Sequence, residues 1–150
     1  MISSRSFILN ALFGSCLLLP ALNGCVFNEK KSNTIENPII ETLISSSESW
    51  SGDKYYYPEG QAEMSLIRIT APVGFRTPVH THSQPGVAYV IKGVLECVVS
   101  ADKTLLSKAG DSFPTSFGNT PHYCENVGEE NAVLLLSYAG VVGTPLTDPY

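Results

Sequence analysis

The sequence predicts an all-β fold closed into one barrel or sandwich, on three observations. Across residues 39–140 no window of about 11 residues shows the apolar periodicity of an amphipathic helix. The same region holds many short runs of β-branched, aromatic or aliphatic residues. Gly, Pro, Asp and Asn punctuate those runs at intervals of roughly 8 to 12 residues, a spacing that fits strands closing on one another so that few edges stay exposed. With 150 residues, 43% hydrophobic and 15% charged, the chain has room for one core and one domain.

The first element, 1–24, reads as an export signal: one charge, Arg5, then an apolar run over 7–19. Asn10, Gly14 and Pro20 make it too short and too broken for a mature membrane-spanning helix. It closes on Leu22-Asn23-Gly24-Cys25, which resembles the lipobox of bacterial lipoproteins, with Asn23 departing from the small residue usual there. Cys25 is the expected lipidation site, and simple secretion is the alternative. Cys16 is a weaker second choice, since cutting there would leave Leu17-Leu18-Leu19 on the mature protein. Residues 25–37 turn polar, through Asn28, Glu29, Lys30, Lys31, Ser32, Asn33 and Thr34, as a tether requires. The folded domain is expected over 38–150, on the periplasmic face of a bacterial membrane or in the periplasm. Its membrane contact would run through the N-terminal lipid alone.

Within the domain, strands are predicted at 41–46, 62–70, 77–82, 87–91, 95–100, 103–107, 111–115, 122–126 and 132–138. Turns are marked by Pro72-Val73-Gly74, Pro85-Gly86, Lys92-Gly93, Ala101-Asp102, Ala109-Gly110 and Val127-Gly128. No internal repeat is present, so one barrel is the expected count. The formal net charge of −5 offers no basic footprint, which excludes nucleic acid as an expected partner.

The chain has three histidines, His80, His82 and His122, all in this β region. In an extended strand residues i and i+2 share a face, so His80 and His82 present two imidazoles side by side. A third imidazole from another strand would complete a three-nitrogen cap suited to Fe, Cu, Ni or Zn. A bare His-x-His is equally compatible with a pair of exposed strand residues that bind nothing.

Spacing separates the two, because here the chain resembles the cupin superfamily. Gly74, five residues, His80-Thr81-His82, three residues, Gly86, six residues and Gly93 follow the first cupin motif, with Gly86 where that motif has Glu. Gly110-Asp111, Ser116, Gly118, His122 and Asn126 follow the second, with Ser116 at its Pro position and one extra residue before the His. The resemblance covers about 67–138. Closer still are small exported single-domain cupins of uncharacterised function, through Tyr89-Val90, Tyr138-Ala139-Gly140 and Gly143-Thr144-Pro145-Leu146. It implies a cupin fold, a double-stranded β-helix or jelly roll in a single barrel. It also implies one divalent transition metal, Fe, Ni, Mn or Zn, held by His80, His82 and His122, with a small-molecule ligand and a homodimer as the expected assembly.

Gly86 cannot supply the carboxylate ligand of other cupins. A neutral three-His set resembles thiol dioxygenases and diketone-cleaving cupins, where substrate and O₂ take open positions. Gln84, on the face of His82 by alternation, is a candidate neutral ligand or a turn residue before Pro85. Asn126 is expected to be a structural hydrogen-bond donor. By parity Arg76 points inward, where a guanidinium would hold a substrate carboxylate; a solvated Arg at the barrel mouth is the alternative, and the one favoured. Tyr89, Phe113 and Phe117 are candidate pocket walls or plain core. Cys97 and Cys124 remain, as a disulfide or as unpaired thiols facing the pocket, the latter favoured, with Cys124 a candidate ligand contact. Three functions stay open: an oxygenase-type enzyme, a non-catalytic module binding a small ligand or metal, and a barrel with a vestigial pocket. The lack of any inward carboxylate disfavours hydrolysis.

Overall fold

Alternating apolar residues bury one face of each strand, and the buried faces of two antiparallel sheets meet to form a jelly-roll barrel. The computed structural model describes residues 37–150, whose compact unit begins at Ile39. The expected export signal, the expected acylation site at Cys25 and the expected tether up to residue 36 lie outside the described residues. Among the described residues no helix is long and apolar enough to cross a membrane.

The first sheet has the order β1-β8-β3-β6, from β1 (Ala62–Ala71), β8 (Ala132–Val141), β3 (Gly86–Lys92) and β6 (Ser112–Pro114). The second has the order β5-β4-β7-β2-β9, from β5 (Lys103–Lys108), β4 (Val94–Ser100), β7 (Gly118–Asn126), β2 (His80–His82) and β9 (Asp148–Pro149). Ala88 and Val90 of β3, Leu95 of β4, Phe113 of β6, and Ala132, Leu134, Leu136 and Tyr138 of β8 build the core. Along β8 every second side chain points inward, which buries Ala132, Leu134, Leu136 and Tyr138 on one face.

One residue, Gly93, takes the chain from the first sheet into the second. Its φ of +84° and the 2.6 Å between a Cβ placed there and Ala132 Cα admit only glycine at this corner. Eight of the predicted strands are present, most of them longer than expected by a residue or more. Residues 41–46 form no strand: they run along the surface without a neighbour, and an isolated extended segment gains no ladder bonds. The turn that follows is tied instead, with Ser49 N–H donating to Asp53 O and Trp50 N–H donating to Pro114 O, and it carries Trp50 into the wall between the sheets. The missed element is β9, two residues that pair with β2 and bring the C-terminal segment against the histidines.

Candidate metal centre and cavity

The three histidines converge. His80 pairs with His122 across β2 and β7, and a register irregularity between His80 and His82 sets His82 opposite Gly118. One ring nitrogen from each lies within 4.8 Å of the others, with ring centroids 4.4 to 5.2 Å apart. Each Nδ1 faces a backbone carbonyl: Pro78 O at 2.8 Å from His80, Leu146 O at 2.7 Å from His82, and Thr120 O at 3.4 Å from His122. A carbonyl accepts only, so it selects the tautomer with the proton on Nδ1 and leaves the Nε2 lone pair free. Three such lone pairs fit a transition-metal ion.

Burial favours the neutral form of two of the rings, those of His82 and His122. His82 is pushed down to about 4, first by loss of water and then by the charge on His80, against the opposing bond to Leu146. His122 is pushed down to about 4 by burial and then by its two histidine neighbours.

Next to the histidines the sheets enclose a cavity of about 360 Å³. Its walls are largely apolar, from Ile67, Ile69, Leu95, Phe113, Leu134 and Leu136, with Trp50 edge-on to His122 at 6.4 Å. Leu146, Thr147 and Pro149 of the C-terminal segment close one side. Of the sequence-predicted pocket residues, Phe113 and Cys124 line this cavity.

Four other expectations are corrected. Gln84 is buried but points away from the cavity: its Nε2 donates to Thr144 O and Pro145 O at 3.0 and 3.1 Å, and its carboxamide fills the space beside Gly140. Its carboxamide is spent on pinning the segment whose Leu146 carbonyl orients His82 rather than turned toward the histidine cluster. Arg76 points outward, bonding Glu125 at 2.6 and 2.8 Å and lying over the Tyr123 ring at 4.3 Å. Regular strand geometry begins only at His80, after Pro78, so parity does not carry back, and Phe75 and Thr77 take the wall positions. Tyr89 lies on the outer face, since Ala88 and Val90 on either side of it point into the core. Cys124 does line the cavity, but as half of a disulfide: it sits opposite Cys97 across β4 and β7, with Cα atoms 4.0 Å apart. Among the described residues no free thiol therefore stands beside the histidines.

Asn126 is structural, donating to Ala71 O and Glu130 O and accepting from Gly128 N–H. Phe117 packs edge-on against Tyr55 at 5.3 Å rather than on the cavity. Gly86 has no room for a side chain, because Tyr138 occupies it, packed 5.3 Å from His82. Trp50, the Thr115-Ser116 pair and the C-terminal segment escaped the sequence reading. The Gly143-Thr144-Pro145-Leu146 motif was the available signal for the last, and it carried no role until the fold placed it.

The cupin domain family model matches residues 67–138, just under half of the chain, which supports the cupin superfamily. No curated protein matches. Among solved structures, the chain is similar to an RmlC-like cupin from Shewanella frigidimarina, at 22% identity over 54% of this chain and 69% of that one, with a TM-score of 0.45. It is similar to the polyketide cyclase RemF from Streptomyces resistomycificus, at 18% identity over 60% of this chain and 61% of that one, less than two thirds of its length, with a TM-score of 0.49. A double-stranded β-helix protein from Klebsiella pneumoniae shares 21% identity over 60% of this chain and 82% of that one, with a TM-score of 0.47.

Proposed function

We propose that this chain is a single-barrel cupin that holds one divalent transition metal through His80, His82 and His122 and takes a small organic molecule into the adjoining cavity. The observation that carries this reading is the convergence of three imidazoles, one ring nitrogen of each within 4.8 Å of the others, whose Nδ1 atoms all face backbone carbonyls. A bound divalent metal would supply Lewis acidity and, as iron, reactivity toward O₂.

The chain's own residues do the rest. Leu146 O, Pro78 O and Thr120 O hold the rings in the binding tautomer. Apolar walls exclude water, which strengthens every polar contact made inside. Oxygenase chemistry is the enzymatic form of this proposal. A binding module for a small ligand or metal is the second reading, favoured by the absence of any carboxylate among the described lining residues. The Leu22-Asn23-Gly24-Cys25 motif supports export and acylation at Cys25, with the barrel working as a homodimer at the periplasmic face of the membrane.

The test is the metal content of the full chain, purified without affinity-tag histidines, against His80→Ala/His82→Ala. Stoichiometric metal in the first and none in the second is expected. Absence of metal from the unsubstituted protein after loading with Fe(II), Ni(II) and Zn(II) would overturn the proposal. Oxygen uptake with thiols or diketones then separates an enzyme from a binder, and a Cys25→Ser chain that still partitions with membranes would defeat the anchor.

A further inference from the structure

Residues 39–45 read as a strand but lie unpaired in the structure: among the described residues no backbone hydrogen bond ties them to the barrel. Alternation gives them two faces, Ile40-Thr42-Ile44 and Ile39-Glu41-Leu43. Their apolar side chains stand in water, with Ile40 87% and Leu43 62% exposed. Exposed apolar groups gathered in one short segment mark a surface that another surface covers. The segment's own barrel does not cover it. Residue 46 leads into the turn whose Trp50 N–H donates to Pro114 O on β6, at one edge of the first sheet.

The opposite edge of that sheet is bare. β1 pairs with β8 on one side only, so along its ten residues a row of N–H and C=O groups has no ladder partner among the described residues. Long edges of this kind are seldom left open. The outer face of β1 carries Leu66, 69% exposed, and Arg68, which joins no ion pair among the described residues. Its inner face carries Ile67 and Ile69, which line the cavity, yet Ile69 remains 37% exposed. Phe75 and Val79 also line the cavity while exposed to solvent. The cavity is therefore open on the flank that β1 borders.

One antiparallel register fits the two segments side chain by side chain, and every ladder in both sheets is antiparallel. With Glu41 opposite Arg68, Leu43 falls opposite Leu66 on the outer face, while Ile40 and Thr42 fall opposite Ile69 and Ile67 on the cavity face. A slip of one residue turns Glu41 toward the cavity side, and a slip of two sets Ile39 or Leu43 against Arg68. We infer that two copies of this chain exchange residues 39–45, each laying them on β1 of the other, so that Ile40 and Thr42 of the second copy close the open flank of the cavity. Two-fold symmetry makes the exchange reciprocal and gives β1 a partner on both sides in each copy. This deepens the function proposed above, resting on its homodimer and not on the metal.

Sedimentation equilibrium of the full chain in density-matched detergent should show a dimer. Leu43→Glu removes two leucine contacts per dimer and should weaken association at least about 100-fold, with the circular dichroism spectrum unchanged. Glu41→Arg and Arg68→Glu should each weaken it about 4-fold or more at low salt, since each replaces two ion pairs by two like-charge pairs, and together they should restore it. Directly opposite strand residues lie within disulfide reach. Oxidised Leu43→Cys/Leu66→Cys should therefore run as a covalent dimer on non-reducing gels, above the background of the unsubstituted chain, whereas Leu43→Cys/Thr70→Cys should not. A dimer that survives Leu43→Glu would overturn the exchange and leave the homodimer, whereas a monomeric unsubstituted chain would overturn both. A cross-link that forms within one chain, or a charge swap as weak as its single variants, would also overturn the exchange. If Leu43→Glu fails to fold, the cross-links and the charge swap decide it. Metal content is measured separately on the same proteins, so failure here leaves the histidine site standing, and the converse also holds.

Discussion

Gly86 stands where the first cupin motif carries Glu, and the structure makes this departure quantitative. A Cβ at Gly86 would lie 2.5 Å from Tyr138 Cδ1, 2.8 Å from its Cε1 and 2.7 Å from Ser137 O. The oxygen belongs to the β3–β8 ladder and cannot withdraw without breaking it, and the Tyr138 ring is buried against the core. Gly86→Ala should therefore fall near the upper part of the overpacking range, about 3 kcal/mol. Lower entropy of the unfolded chain offsets about 0.5–1 kcal/mol of that. The net loss is about 2 kcal/mol, which for a domain of this size lowers Tm by about 10 °C. Urea unfolding of the metal-free protein, followed by circular dichroism, measures it. Tyr138→Leu removes the ring contact but not the carbonyl contact, so the double variant should be more stable than the sum of the singles by about 1 kcal/mol. A Gly86→Ala protein within about 0.5 kcal/mol of the parent, or strict additivity, would refute the steric account. By the same geometry Gly86→Glu should lose folded yield rather than add a fourth ligand to the metal.

Three further outcomes are expected. Gln84→Ala removes two bonds to the C-terminal segment and should destabilise the domain by about 2–3 kcal/mol, lowering metal affinity about 10-fold at unchanged stoichiometry; loss of stoichiometry, as in His82→Ala, would show it to be a ligand after all. Because burial lowers His82 and His122 from 6.5 to about 4 in the folded chain, at these two sites only the unfolded chain takes up protons between those values. Metal-free stability should thus be complete above pH 7 and fall as pH drops from 6.5 to 4, and a flat urea midpoint across pH 7, 5.5 and 4.5 would contradict this. Reducing the Cys97–Cys124 bridge, which spans 27 residues, should destabilise the fold by about 3.5 kcal/mol, read as a drop in Tm on adding reductant and reproduced by Cys97→Ala/Cys124→Ala.

Much of the barrel and of the candidate metal centre was legible in the sequence alone. Strand alternation is a local property, so runs such as Ala132 to Tyr138 announce both their conformation and their buried face. The His80-Thr81-His82 spacing works in the same way, and two motifs in order added His122 from another strand. Parity failed where the chain was not a regular strand. Pro78 separates Arg76 from β2, so a rule of two residues could not be extended across it. Residues 41–46 had a strand-like composition but found no partner.

What the sequence by itself determined is therefore the set of short-range facts: an all-β chain, its turns, and three histidines at the spacing of the cupin motifs, where they could hold a metal. The tertiary structure alone decided which strands are neighbours, and the corrections follow from that. Adjacency of β4 and β7 turned two cysteines into a bridge, packing of Tyr138 against Gly86 closed the place of the missing carboxylate, and the return of residues 144–149 gave Gln84 and His82 their partners. These contacts join residues 27 to 64 positions apart, where local propensity and spacing carry no information and only the closing of the barrel brings the groups together.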